Sequence, residues 1–195
     1  MQNSICRTFL LRNMLSKSCV KLVEMCFTNI DGIEIKKISL GEVELAYDEE
    51  KIKLESIEKK FSDIGFTVIL DQNDTIVEQI KIAAIELIFK ANNMSSLIRN
   101  SEYISERVQL HYDKLSKIFS SSTGSTLEKY IILLKIERAK ELLSSHEYNL
   151  SEISYMLGYS SVQYLSNQFR KTTGITVSQY KNGEPLERIP LENLL

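Results

Sequence analysis

The chain has 195 residues, of which 43% are hydrophobic, and its net charge at pH 7 is -2. No segment approaches the roughly 18 consecutive apolar residues of a membrane-spanning helix, so we expect a cytoplasmic protein with no membrane contact. The only prolines are Pro185 and Pro190, which favours helices and short turns over the rest of the chain. Nucleophile-elbow, HExxH and Walker motifs are absent, so no enzyme is expected.

Strand and helix patterns alternate in the first part of the chain. ICRTFLL is typical of a strand, and SCVKLVEMCFTNI follows with helical spacing of its apolar residues. Residues 33–48 alternate on both sides of Gly41, which predicts a β-hairpin. EEKIKLESIEKKFSDIG indicates a second amphipathic helix, and FTVIL a last strand. The order β-α-β-β-α-β predicts a ferredoxin-like sandwich.

The remainder of the chain has helical periodicity, so the predicted fold class is α+β. A helix is expected from Asp74 to Asn92 because an Asp/Thr start precedes a broad apolar face. The predicted organisation is a ferredoxin-like domain at 1–72, a connecting and dimerisation helix within 73–96, an all-α domain at 97–181 and a loosely held tail at 182–195.

Two segments of the helical part resemble one another. YISERVQLHYDKLSKIFSSSTGSTLEKY and EISYMLGYSSVQYLSNQFRKTTGITVSQY share an Ile, a short turn, Leu-Ser-x-x-Phe, Thr-Gly and a closing Tyr, which indicates an internal repeat. Leu115 with Phe119, and Leu165 with Phe169, are four residues apart and should bury one face of each second helix. Gly158 stands where a helix-turn-helix corner needs an unusual backbone angle.

The opposite face of each second helix is then exposed and able to read DNA. In the second copy, amides and a small apolar side chain suit base edges, and basic residues suit phosphates. The predicted contacts there are Ser161, Val162, Gln163, Tyr164, Asn167, Arg170 and Lys171. In the first copy they are Asp113, Lys114, Ser116 and Lys117, with Lys117 the natural guanine or phosphate ligand.

Charge and spacing also favour nucleic-acid binding by this part of the chain. Residues 97–181 hold 11 Lys and Arg against 8 Asp and Glu, whereas residues 1–96 hold 12 against 15. Between the copies, a helix is predicted from Thr126 to Ser144. It would span roughly 28 Å, close to the roughly 34 Å between successive major-groove openings on one side of B-DNA.

The segment KIERAKELLSSHEYNLSEISYMLGYSSVQYLSNQFRKTTGITVSQYK resembles the C-terminal DNA-binding domain of AraC/XylS-type transcriptional regulators. The resemblance implies two helix-turn-helix units that are joined by a central helix and bind double-stranded promoter DNA. Members often carry basic residues after the Phe of the first unit, but Ser120, Ser121 and Ser122 follow Phe119 here. We therefore expect the second unit to anchor the protein and a homodimer to supply the remaining affinity.

The N-terminal pattern, with SLGEVELAYD and IEKKFSDIGFTV, resembles the heavy-metal-associated domain of copper chaperones and metal-transport ATPases. That family holds a soft ion with Met-x-Cys-x-x-Cys after the first strand. The aligned residues run from Met14 to Cys19, and Ser16 replaces the first cysteine. Cys19 is thus the one candidate metal ligand, and the alternative for all three cysteines, Cys6 and Cys26 included, is a small buried apolar side chain.

Two functions from different classes follow. In the first, the chain is a sequence-specific transcriptional regulator that reads two adjacent major-groove segments and uses its N-terminal domain for dimerisation or signal response. In the second, it is a metal- or redox-responsive binding protein that acts through the N-terminal domain, with no resident cofactor beyond a soft metal ion at Cys19.

Overall fold

The computed structural model describes residues 4–90 and 100–195. The first part contains β1 (Ser4–Arg12), α1 (Lys17–Phe27), β2 (Ile33–Ser39), β3 (Glu42–Asp48), α2 (Leu54–Asp63), β4 (Thr67–Ile69) and α3 (Gln72–Ile85), which continues as a π-helical turn (Glu86–Lys90). The second contains α4 (Asn100–Val108), α5 (Tyr112–Thr123), α6 (Leu127–Ser145), α7 (Leu150–Met156), α8 (Val162–Thr173), α9 (Val177–Lys181) and a 3₁₀ turn (Leu191–Asn193).

The chain divides into two compact units, Met1–Ile82 and Ala83–Leu195. The predicted end of the connecting helix at Asn92 and the predicted boundary at residues 96 and 97 lie outside the described residues. No helix within the two described stretches is both long and apolar enough to cross a membrane.

The first unit is built on a four-stranded antiparallel sheet with the order β2-β3-β1-β4. Ile5 on β1 lies opposite Tyr47 on β3, and Leu10 on β1 lies opposite Ile69 on β4. Each helix therefore connects two strands that have a third strand between them. The predicted order of elements is confirmed, but the predicted strand FTVIL is shortened to Thr67–Ile69.

One face of this sheet carries the core of the first unit. Alternate residues of β1 and β3 point to that face, where helices α1 and α2 cover them; the fully buried side chains include Phe9, Leu11, Val23, Phe27, Val43, Leu45, Tyr47, Ile57 and Phe61. The Phe61 ring lies 4.6 Å from Phe27 and 5.4 Å from Phe9, measured between ring centroids. Both helices therefore pack on the same side of the sheet.

The second unit is helical and has α6 at its centre, since α6 contacts α5, α7 and α8. Thr126 caps the N-terminus of α6 by accepting a hydrogen bond from the Lys129 amide. The helix has 19 residues, the predicted number, and begins and ends one residue later than predicted. At about 1.5 Å per residue it is roughly 28 Å long.

The C-terminal tail is not loosely held, contrary to the expectation from sequence. Lys140 and Glu137 on α6 form a buried ion pair with an N–O distance of 2.6 Å. The Lys140 ammonium also donates to the Glu187 carbonyl at 3.0 Å, and the Ile189 amide donates to the Glu137 carboxylate at 3.1 Å. Arg188 lies 3.6 Å from the carboxylate of Glu141. The tail is thus hydrogen-bonded along the central helix.

Candidate nucleic-acid interface

The two helix-turn-helix units have the same corner. Gly158, between α7 and α8, has the predicted positive φ of 65°, and the next amide, that of Tyr159, donates to the Ser154 carbonyl at 3.0 Å. Gln109, between α4 and α5, has a φ of 59°, and the following Leu110 amide donates to the carbonyl of Ser105 at 3.2 Å. The repeat therefore extends to the backbone of both corners.

The ends of α5 and α8 are also alike. Thr123 donates to the Phe119 carbonyl at 2.7 Å, and Thr173 donates to the Phe169 carbonyl at 2.8 Å. Each phenylalanine is fully buried and contacts a tyrosine 11 residues further along the chain, with centroid distances of 5.4 Å for the first pair and 5.7 Å for the second. The predicted internal repeat is thus a repeated fold, with equivalent positions 50 residues apart over these two helices.

Helix α8 presents its predicted DNA-reading face outward. Leu165 and Phe169 are buried on the inner side, while Ser161 caps the N-terminus and accepts from the Tyr164 amide at 3.1 Å. Val162 is half-buried, and the remaining predicted contacts, Ser161, Gln163, Tyr164, Asn167, Arg170 and Lys171, are exposed. The structure therefore gathers all seven predicted residues on one helix.

Two of these side chains are joined to each other. The Gln163 Nε2 atom donates a hydrogen bond to Asn167 Oδ1 at 2.9 Å. Because the residues are four positions apart, they are neighbours on the helix surface, and such amide pairs stabilise a helix by a few tenths of a kcal/mol. Both residues were identified from the sequence, but the bond between them was not.

Tyr164 packs against the corner residue Tyr159, which in turn contacts Lys135, a residue that the sequence did not indicate. Its side chain is 56% exposed, and its ring lies 5.8 Å from that of Tyr159. The ammonium of Lys135, from α6, lies 5.2 Å from the centroid of the Tyr159 ring. Burial lowers the pKa of Lys135 and raises that of Tyr159. The central helix therefore contacts the corner residue Tyr159 through a cation–π contact, and Tyr159 in turn packs against Tyr164 of α8.

Helix α5 presents the predicted face of the first unit. Asp113, Lys114 and Lys117 are exposed, Ser116 is half-buried, and the opposite side of the helix is packed through Leu115 and Phe119. The position equivalent to Val162 is occupied by Tyr112, whose hydroxyl donates to the Glu128 carboxylate at 2.7 Å. Burial and this hydrogen bond raise the pKa of Tyr112. Its hydroxyl is thus directed toward α6.

The last turns of the two reading helices differ in charge. Arg170 and Lys171 in α8 are replaced at the equivalent positions of α5 by Ser120 and Ser121. The serine hydroxyls donate to carbonyls of their own helix, Ser120 to Ser116 at 2.8 Å and Ser121 to Ile118 at 2.9 Å. At these two positions α8 therefore carries two positive charges, whereas α5 carries none.

The candidate metal ligand Cys19 lies in the first turn of α1, in the N-terminal compact unit Met1–Ile82. Its amide donates to the hydroxyl of Ser16, which is the N-cap, and its Sγ lies 3.2 Å from that oxygen. Cys19 and Cys26 are half-buried against the core, whereas Cys6 is exposed rather than buried and lies 3.0 Å from a Glu44 oxygen. Among the described residues, no three His, Cys, Asp or Glu side chains cluster as metal ligands would.

Residues 104–183 match a family model described as a helix-turn-helix domain. The Xylose operon regulatory protein of Escherichia coli K12 is 32% identical over 81 residues, which are 42% of this chain and 21% of that protein. The TCP pilus virulence regulatory protein of Vibrio cholerae serotype O1 is 24% identical over 178 residues, 88% and 59% of the two chains. A solved structure, the C-terminal domain of AraT, a response regulator from Geobacillus stearothermophilus, has a TM-score of 0.48 at 23% identity and covers 62% of this chain and 94% of that one.

The matched segment begins in α4 and includes α5 to α9, so it contains both corners, both reading helices and the central helix. The chain therefore carries a helix-turn-helix domain at residues 104–183. The chain spans 21% of the length of the Escherichia coli relative and 59% of that of the Vibrio cholerae relative.

Proposed function

We propose that the protein is a cytoplasmic transcriptional regulator of the AraC/XylS type and not an enzyme. It binds double-stranded promoter DNA with α5 and α8 in two adjacent major-groove segments. The observation that carries this proposal is the repeated helix-turn-helix around a shared central helix. Helices α5 and α8 both pack against α6, whose length of about 28 Å is close to the roughly 34 Å spacing of groove openings. Two of the relatives are named as regulatory proteins, of a xylose operon and of pilus virulence, which agrees with this class.

The two readers have different tasks in this proposal. The second helix-turn-helix supplies most of the affinity, because Arg170 and Lys171 lie at the end of α8 and can contact phosphates. The first helix-turn-helix contributes Asp113, Lys114, Ser116 and Lys117, of which only the lysines carry a positive charge. Since each phosphate contact releases a counterion, the second unit dominates the salt dependence of binding.

The N-terminal compact unit, Met1–Ile82, serves dimerisation or signal response in this proposal, and the regulator acts as a homodimer. Its strand order, β2-β3-β1-β4 with all neighbours antiparallel, supports a ferredoxin-like sandwich of the heavy-metal-associated type. A metal-responsive role is not favoured, because Ser16 occupies the position of the first motif cysteine and acts as the cap of α1. Cys19 alone remains as a candidate ligand.

The experiment is to map the DNA that the full chain binds, and then to measure affinity for one bound fragment between 50 and 200 mM salt. We expect Arg170→Ala and Lys171→Ala each to reduce the slope of log K against log salt by about 0.9 per lost phosphate contact. Ser120→Arg combined with Ser121→Lys should make the slope steeper, because it gives α5 the charges of α8.

The control is Lys59→Ala on the exposed side of α2. It removes the same charge from the N-terminal compact unit and should leave the slope unchanged. If the chain protects no DNA sequence at low salt, the proposed function is wrong. If Lys59→Ala weakens binding as much as Arg170→Ala does, the assignment of the phosphate contacts to α8 is wrong.

A further inference from the structure

The hydrogen bond between Gln163 and Asn167 holds two exposed amides together on the reading face of α8. The helix beneath them is fixed, because Leu165 and Phe169 are fully buried and Ser161 caps the N-terminus. From this arrangement we propose that Gln163 and Asn167 act as a single unit that reads one adenine in the major groove. The inference rests on the proposed function, and it names the base that this part of the site selects.

The hydrogen bond leaves one carbonyl oxygen and one amino group of the pair wholly free, while the bonded Nε2 and Oδ1 atoms each keep one further proton or lone pair. With Gln163 Nε2 donating to Asn167 Oδ1, the Gln163 carbonyl oxygen and the Asn167 amino group remain for DNA. Adenine presents an N6 amino donor and an N7 acceptor in the major groove, which is the complementary arrangement. The complementarity survives an exchange of roles between the amides, since one carbonyl and one amino group remain free in either case.

The other bases do not match this pair. Guanine presents two acceptors, N7 and O6, so the free carbonyl would face the O6 oxygen with no proton between them. Cytosine offers only a donor, and thymine offers an acceptor beside a methyl group. A mismatched base would leave at least one amide group desolvated and unpaired, which is the costly outcome in a buried interface.

The bond between the amides also lowers the cost of binding. Each free amide side chain samples several rotamers, and ordering them on DNA lowers affinity. Because Gln163 and Asn167 restrain each other before DNA arrives, less rotamer freedom is lost in the complex. At the equivalent positions, α5 has Asp113 and Lys117, of which one only accepts and the other only donates. Adenine selection by an amide pair is therefore specific to the second unit.

The first test uses the bound sequence obtained by mapping. Each A·T pair of the α8 half-site is replaced by G·C, and the affinity of the full chain is measured at fixed salt. We expect one position at which replacement weakens binding on the order of 10- to 100-fold. At that position, 7-deazaadenine, which lacks the N7 acceptor, should weaken binding by an intermediate amount. If no A·T pair in that half-site matters, the inference is wrong while the proposed function stands.

The second test is a double-mutant cycle with Gln163→Ala, Asn167→Ala and the double variant. Because either truncation dismantles the pair, each single variant should lose nearly as much adenine-over-guanine preference as the double variant. Lys59→Ala, on the exposed side of α2 and outside the proposed DNA contacts, is the control, and it should leave that preference unchanged. Thermal unfolding checks that each variant is folded, which is expected because the amides are exposed.

The outcomes are distinguishable. Additive losses, or losses at two different base pairs, would show that the amides read separately and would overturn the inference. Absence of any sequence preference in the unmodified chain would overturn the proposed function itself, and the adenine reader with it.

Discussion

Gln109 and Gly158 occupy the same left-handed conformation at the two corners, but only one of them is suited to it. Glycine adopts a positive φ without a steric penalty. For other residues that region costs roughly 1–2 kcal/mol, because Cβ approaches the carbonyl oxygen. Gln109, with a φ of 59°, therefore bears strain that Gly158 avoids.

This difference gives a paired prediction about stability. Gln109→Gly should raise the free energy of unfolding by about 0.5–1 kcal/mol, because relief of the strain outweighs the lower backbone entropy of the unfolded glutamine. Gly158→Ala should lower the same free energy by about 1–2 kcal/mol. Urea denaturation followed by circular dichroism measures both. A destabilised Gln109→Gly variant would contradict the assigned backbone conformation.

At the scale of elements, Tyr112 connects the start of α5 to the first turn of α6. Its hydroxyl donates to Glu128, and burial together with this hydrogen bond raises its pKa. A raised pKa means that the folded state holds the proton more tightly than the unfolded chain does. The resulting stability is fully present below about pH 10, the ordinary tyrosine value, and is lost as the pH rises above it.

We therefore expect the free energy of unfolding to fall between about pH 10 and pH 11, measured by urea denaturation in steps from pH 8. In Tyr112→Phe that fall should be shallower, since the titrating hydroxyl has been removed. Tyr159, whose pKa burial also raises, contributes with the same sign and leaves a residual slope. Identical slopes for both proteins would contradict the role given to Tyr112.

The helices of the compact unit Ala83–Leu195 were predictable because the sequence features that specify them are local. The caps at Ser161 and Thr126, the spacing of Leu165 and Phe169, and the corner glycine Gly158 all lie within a few residues of what they specify. The outward face of α8 followed from the same period. Its amide bond did not, because a helical period indicates which residues are neighbours but leaves their rotamers open.

Features that depend on distant partners were missed. The carboxylate of Glu137 and the ammonium of Lys140 look in sequence like surface charges of a helix, and their tail partners lie 52 and 47 residues further along the chain. The contact of Lys135 on α6 with the corner residue Tyr159, which packs against Tyr164, likewise joins residues far apart in sequence. β4 is shorter than its pattern indicated because only Thr67–Ile69 pairs with β1, while Leu70 is 87% exposed.

At the scale of the whole molecule, the buried ion pair of Glu137 and Lys140 makes two hydrogen bonds with the backbone of the tail. Glu137→Ala would leave the Lys140 ammonium buried without its carboxylate, so we expect a loss of about 3–5 kcal/mol in the free energy of unfolding. The matched control is Glu141→Ala, one turn further on and 40% exposed at the side chain, which should cost at most about 1 kcal/mol. Equal losses would show that the ion pair does not anchor the tail.

The two helix-turn-helices share one backbone arrangement but have different exposed side chains, and this has a consequence for the DNA site. A symmetric dimer of identical readers occupies a palindrome equally well in both orientations. Ser120 and Ser121 of α5 correspond to Arg170 and Lys171 of α8, and Asp113 and Lys117 correspond to Gln163 and Asn167. The two half-sites that one chain reads in the proposed complex would therefore be unlike. In the proposed complex, each bound chain would therefore have a defined direction along its promoter, set by the order of its two half-sites.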